Sequence, residues 1–172
     1  LDVEIANYLN QLQGKYVSNI GRAANIIWLN FTDAAIESEY SGKDILPGLL
    51  CLHIQCPCRL VDKENRRIIF ASSDIFVPSS TIEWSENFEW DNQGDNLFDE
   101  KSKQWLLSNR EVYINDYKLN ILGDLKLNLS NGNIFEVLIN SSSNDECWRL
   151  FEKNSDEDHF VVSGQKSVFE YE

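Results

Sequence analysis

An α+β fold is predicted: a largely antiparallel sheet, curved or barrel-like, with two or three short helices against it. Three observations lead there. Apolar, β-rich runs are short and separated by turn residues. Helical spacing occurs in only a few brief segments. Strands and helices do not alternate regularly, as a parallel sheet with crossover helices would require. The 172 residues suit a single domain over 1–172, long enough to bury a core without metal or disulfide staples.

Element by element, residues 2–13 place Val3, Ile5, Ala6, Leu9 and Leu12 near one side of a helix, with Gly14 as its stop. Strands are expected at 16–20 and 25–32, where Ile27, Leu29 and Phe31 alternate with Trp28 and Asn30. Residues 33–48 read as an irregular connection. The strongest β signal is 49–60, a single apolar strand that turns at 62–65 and returns over 66–71 as an antiparallel hairpin. Pro57 inside it cannot donate to a ladder and marks a bulge, bend or edge.

Residues 79–99 are polar yet carry Trp84, Phe88, Trp90 and Phe98, which predicts a long loop pinned by aromatic anchors. A short helix follows near 99–107. Strands at 111–119 and 124–129 lead to Asn131-Gly132, a favoured tight-turn pair, and 133–139 returns from it. Cys147, Trp148, Leu150 and Phe151 suggest a short helix over 145–152, with Asp145 or Ser143 as its N-cap. A final hairpin around Gly164 joins 160–162 to 167–171. There is no internal repeat and no low-complexity tract.

Charge sets the class of partner. Fifteen Lys plus Arg stand against 28 Asp plus Glu, a net charge of −13. Such a surface repels nucleic acid phosphates and anionic membranes and speeds encounter with a basic protein. Hydrophobic residues make up 42%, so the acidity decorates a folded body rather than a disordered one. No run approaches the ~20 apolar residues of a membrane span, and Leu1-Asp2-Val3-Glu4 lacks the basic and apolar regions of a secretory signal. A cytoplasmic protein is expected, with reduced thiols.

Cys51, His53, Cys56 and Cys58 contain zinc-ligand types, but they fall on one extended run rather than on paired tight turns. Buried strand cysteines are the expectation, with no metal and no cofactor. A Cys–His nucleophile could be drawn from Cys147 with His159 or Cys56 with His53, each needing a contact that spacing alone does not supply. No catalytic residue is assigned, and the chain leans away from an enzyme. Asp91, Asp95, Asp99 and Glu100 resemble a calcium loop, but Asn96 stands at the position of the required Gly and Ser102 at that of the bidentate acid. That stretch and 154–158 read as solvated acidic loops.

The candidate cleft or interface residues are Arg59, Asp74, Trp84, Trp90, Trp148 and Arg149. Arg59 ends an apolar strand, and Asp74 beyond the return strand is its expected partner in a bidentate tie. The sharper alternative is an Arg- and Trp-lined cleft.

Three segments taken together, Leu52-His53-Ile54-Gln55-Cys56-Pro57-Cys58-Arg59, Ser72-Ser73-Asp74-Ile75-Phe76-Val77-Pro78, and Glu146-Cys147-Trp148-Arg149-Leu150-Phe151 leading to His159-Phe160-Val161-Val162-Ser163-Gly164, give a likeness over most of 49–164. The chain resembles a family of short bacterial proteins that brings no established activity, cofactor or catalytic residue. An aromatic often stands in that pattern where Cys58 is here, which speaks against a metal role for Cys58. By analogy of class alone, the leading expectation is a protein-binding module, such as an immunity protein masking a basic toxin. The alternative is a small-molecule-binding domain or small enzyme with a pocket at one end of the sheet.

Overall fold

The computed structural model describes residues 3–35, 49–153, 155–156 and 159–170. Most of the 33–48 connection, most of the acidic 154–158 stretch and the end of the last strand lie outside the described residues. The architecture is α+β and antiparallel. Among the described residues eleven strands fall into two sheets rather than one curved sheet, and each has a linear strand order, so neither closes as a barrel.

The chain opens with α1 (Val3–Leu9), which tightens into a 3-10 turn at Asn10–Leu12. Leu9 and Leu12 point into the core, and Gly14 takes a positive φ of 78° that ends the helix. Then come β1 (Tyr16–Ala23), β2 (Ile26–Thr32), β3 (Leu50–Ile54), β4 (Cys58–Asp62) and β5 (Arg67–Ala71). A 3-10 helix (Ser72–Phe76) and the 77–96 loop lead to α2 (Leu97–Ser108). The meander β6 (Ile114–Leu119), β7 (Leu125–Leu129) and β8 (Asn133–Val137) turns at Asn131-Gly132, and β9 (Glu146–Glu152), β10 (His159–Ser163) and β11 (Ser167–Glu170) close the chain.

The six-stranded sheet runs β1-β2-β3-β9-β10-β11 and the five-stranded sheet β5-β4-β8-β7-β6. Their registers explain the core. In the first, Leu29, Leu52, Leu150 and Phe160 form one cross-strand row, and Ile27, Ile54, Trp148 and Val162 the next. In the second, Phe70, Leu60, Phe135 and Leu127 align likewise. These rows, with Phe98 and Trp105 of α2, belong to one continuous buried cluster. Apolar residues at period two thus give each sheet an inner face.

Two sequence expectations are corrected here. The 49–60 run is two strands in different sheets: β3 pairs with β2 and β9, and β4 pairs with β5 and β8. Pro57 lies at the crossing, where its missing N–H breaks the ladder. The 62–65 turn and the return strand hold. The helix expected over 145–152 is instead β9, a strand held on both sides by β3 and β10. Apolar residues at 147, 148, 150 and 151 fit either period, and pairing on two sides decides for the strand. Ser143 and Asp145 consequently cap no helix; the Ser143 hydroxyl donates to the Asp145 carboxylate at 2.8 Å in the preceding turn.

The two sheets are joined by Trp148. Its ring is fully buried, and its indole Nε1–H donates to the Gly123 carbonyl at 2.9 Å, in the turn between β6 and β7. Gly123 has φ +94°, and a Cβ there would stand 2.6 Å from Val162 Cγ1, so the close approach requires glycine. No described helix is long and apolar enough to cross a membrane. Trp148→Ala should lower the unfolding free energy by about 3–5 kcal/mol, read from urea denaturation. A loss under about 1 kcal/mol would show that the indole is not the joint between the sheets.

Candidate functional site: an acidic aromatic loop

From Phe76 to Asn96 the chain holds five acids (Glu83, Glu86, Glu89, Asp91 and Asp95) and no Lys, Arg or His. It is a long segment without regular structure, yet it is tied at both ends. Leu97 N–H donates to the Val77 carbonyl at 2.8 Å and Ser79 N–H to the Asp95 carbonyl at 2.8 Å. Between the ends run short turns, with Ile82 N–H on Ser79 C=O, Phe88 N–H on Ser85 C=O and Asn92 N–H on Glu89 C=O. Each satisfies backbone groups that a loose loop would leave to water.

Helix α2 holds the base of the loop from its first turn. Buried Asn96 is the N-cap: its side-chain oxygen accepts from Asp99 N–H at 2.9 Å, while its amide donates to the Trp90 carbonyl at 3.0 Å. Glu100 accepts from Ser80 twice, from the backbone N–H at 2.6 Å and from the hydroxyl at 2.8 Å. Those hydrogen bonds hold the Glu100 carboxyl below its ordinary pKa.

Beneath the loop lies Arg22 of β1, whose side chain is 0% exposed. Its Nε and Nη2 grip both Asp99 oxygens at 2.8 Å. Nη1 donates to Ala24 C=O at 3.1 Å and to the Asp91 carboxylate at 3.2 Å. Nη2 also reaches the carbonyls of Trp90, Asp91 and Asn92 at 3.0–3.3 Å. Returning the tie, Gln93 Nε2 donates to the Arg22 carbonyl at 3.2 Å, and Gly94 N–H donates to Asp99 at 2.8 Å. Asp91 and Asp99, two members of the apparent calcium loop, are therefore turned onto a guanidinium. Among the described residues no three His, Cys, Asp or Glu side chains group as metal ligands.

So anchored, the loop shows apolar surface to solvent. Trp84 is 72% exposed and packs only loosely on Phe88, ring centroids 5.9 Å apart. Phe76, Val77 and Ile82 are exposed too. Trp90 is half-buried, edge-on to Phe76 at 5.1 Å and packed against the core.

Of the six sequence candidates, Trp84 and Trp90 fall in this loop and the other four lie elsewhere. Trp148 is sealed in the core. Arg59 is paired with Glu136, its cross-strand neighbour on β8, with Nε to Oε2 at 2.7 Å, and Lys126 reaches the same carboxylate at 3.6 Å. The expected Arg59–Asp74 tie is thus replaced, because the Asp74 carboxylate accepts from Ala71 N–H at 2.9 Å and closes the 3-10 helix. Arg149 bonds Glu146 at 2.8 Å and lies 3.1 Å from His159 Nδ1, on the outer face of the six-stranded sheet. No single cleft gathers these residues. Arg22, Asn96 and the inward turn of Asp99 were not anticipated; a lone arginine inside an apolar hairpin was the available signal.

The cysteines are poor nucleophiles in this setting. All four are free and buried. Burial pushes Cys51 up to about 11 and Cys56 up to about 12, and raises Cys58 and Cys147 as well. In the β9–β10 register Phe151 falls beside His159, so Cys147 stands four residues away along the strand, about 13 Å. His53 instead meets the Phe151 ring edge-on at 4.8 Å.

No protein family, curated protein or solved structure matches the chain.

Arg22→Gln should cost about 3–5 kcal/mol by leaving Asp99 buried without its partner, and proteolysis should then cut within 79–95 before the sheets open. Loss of stability without early cutting there would separate Arg22 from the loop. The thiols should resist alkylation at pH 8 in the folded protein and react fully in denaturant. Folded thiols that keep their protons above the unfolded value of about 8.5 stabilise the fold fully below that pH. That contribution falls away as pH climbs towards 11, so urea midpoints should decline over this range. Rapid alkylation of the folded protein at pH 8 would contradict the burial.

Proposed function

We propose that this protein is a non-enzymatic binding module that captures a basic protein, and that the 76–95 loop is its capture surface. One observation carries the reading: an indole 72% exposed stands on a tied loop among five carboxylates with no cation in the segment. Exposed aromatics are the side chains that most often dominate binding energy, because they bury large area at low entropic cost. The surrounding acids add long-range attraction, which raises the association rate rather than the final affinity. The anchored backbone is already ordered, so less entropy is lost on docking than a free loop would lose.

An immunity protein that masks a basic toxin in the cytoplasm fits this combination of charge and anchor. The acid-poor, cation-rich face of the partner would meet Glu83, Glu86 and Glu89, and Trp84 would fill an apolar recess between its cations.

The experiment is purification of the protein from its native host with whatever basic protein accompanies it, followed by association kinetics on that pair. Association should slow at least about tenfold between 50 and 300 mM salt. Trp84→Ala should weaken the complex about 30-fold or more, mostly through dissociation. Charge reversal at Glu83, Glu86 and Glu89 should act mainly on the association rate. If no basic protein accompanies it, or if binding ignores both salt and Trp84, the reading fails.

A further inference from the structure

β1 forms one edge of its sheet, and its outer side is used only at the start of the strand. There Val17 N–H donates to Val112 C=O at 2.9 Å, and Ile114 N–H to Lys15 C=O at 2.9 Å. From Ser18 to Ala23, among the described residues, no backbone group bonds to that edge. Helix α2 runs beside the open part, and a cavity of about 430 Å³ lies between them.

The lining of this cavity identifies what it can hold. Residues 17–21 of β1 all border it. Successive side chains on a strand point to opposite faces, so a space that touches five in a row meets the strand along its edge. The Arg22 carbonyl turns outward, since it accepts from Gln93. Alternation along an antiparallel strand then puts the N–H and C=O of Ile20 on the same outward side. Opposite them, α2 presents Asp99, Lys103 and Leu106, spaced four and three residues apart on one helix face, with Leu107 beside them, 46% exposed, and Arg110 follows two residues past the end of the helix. Asp99 is already bonded to Arg22. The groove therefore combines an outward backbone N–H and C=O at Ile20, an apolar wall and the exposed cation of Lys103, on a molecule whose net charge is −13.

We propose that this groove binds an extended peptide segment that adds to β1 as a further strand, with an apolar side chain against Leu106 and Leu107 and a neighbouring carboxylate at Lys103. An outward N–H and C=O on Ile20 are complemented by another peptide backbone, which supplies both an acceptor and a donor at strand spacing. The cavity volume lies within the usual range for a specific site. The lysine selects an acidic segment over a basic one, so this surface has the opposite preference to the exposed part of the 76–95 loop, whose Gln93 and Gly94 also border the groove. Lys103→Glu alters the groove alone and Trp84→Ala the loop alone.

The probe is a capped octapeptide of alternating valine and glutamate, compared with its valine–lysine counterpart and with a version N-methylated at alternate residues, all at 150 mM salt. The acidic peptide should bind at least about tenfold more tightly than the basic one, and saturation with it should slow exchange of the Ile20 amide hydrogen by about tenfold or more. N-methylation should abolish binding. Lys103 is exposed, so Lys103→Glu keeps the fold, and it should reverse the preference between the two peptides. The proposal is overturned if the acidic peptide does not bind at millimolar concentration, if the N-methylated peptide binds as well, or if Lys103→Glu leaves the ranking unchanged. It is equally overturned if sedimentation shows a dimer whose Ile20 amide is protected without peptide, because a second copy then fills the edge.

Discussion

A single buried guanidinium holds together the part of this protein that faces its surroundings. Arg22 enters the interior from β1 and meets the Asp99 carboxylate, the Asp91 side chain and the carbonyls of 24 and 90–92. A charge removed from water is tolerable only when its donors are used and its sign is opposed. Here both conditions are met, and they are met by groups from three elements at once. The edge of the six-stranded sheet, the first turn of α2 and the long loop are consequently one unit. Without Arg22 the Asp99 carboxylate would keep only the Gly94 N–H and lose the charge that opposes its own.

That arrangement separates the charges of the surface into two kinds. On the sheets, cations and acids sit as cross-strand or near-strand pairs: Arg59 and Lys126 share Glu136, Arg149 holds Glu146, Arg67 reaches Asp62 and Lys15 reaches Asp33. Exposed pairs of this type add little stability, about 0–1 kcal/mol each, but they cancel the local field. The loop has no cation of its own, and Arg22 engages Asp91 among its acids. The exposed Trp84 therefore stands in a segment of five acids and no cation. The β1–α2 groove borders the same Arg22–Asp99 pair, with Lys103 exposed on its helical wall.

Local signals carried much of the fold. Asn131-Gly132 marked the β7–β8 hairpin, Gly14 the end of the first helix, and Asp62–Asn65 the β4–β5 turn, because each depends on the conformational preferences of two or three adjacent residues. The 97–108 helix was legible for the same reason, within two residues of the expected start and one of the expected end. Where the expectation was mistaken, the deciding partner was distant. Apolar residues at 147, 148, 150 and 151 satisfy a helix or a strand, and only β3 and β10 on either side choose between them. The 49–60 run looked continuous because its hydrophobicity is continuous; Pro57 announced a break, but not that the chain changes sheets there.

The candidate residues divide in the same way. Trp84 and Trp90 could be read as anchors of a loop because a polar segment rarely carries aromatics without using them. Arg59 was expected to seek Asp74, the nearest acid beyond the hairpin, whereas strand register set it beside Glu136, 77 residues away along the chain.

From composition and short-range pattern alone followed the α+β class, the antiparallel hairpins, the net charge of −13 and the presence of an aromatic-studded acidic loop. These properties are additive or local, so a linear string contains them. Which sheet each strand joins, the burial of Trp148 between the sheets, and the convergence of Arg22 with Asp99 across 77 positions emerged with folding. Each depends on a pairing between distant segments, and register between such segments is settled by packing of the whole core rather than by either segment's own residues.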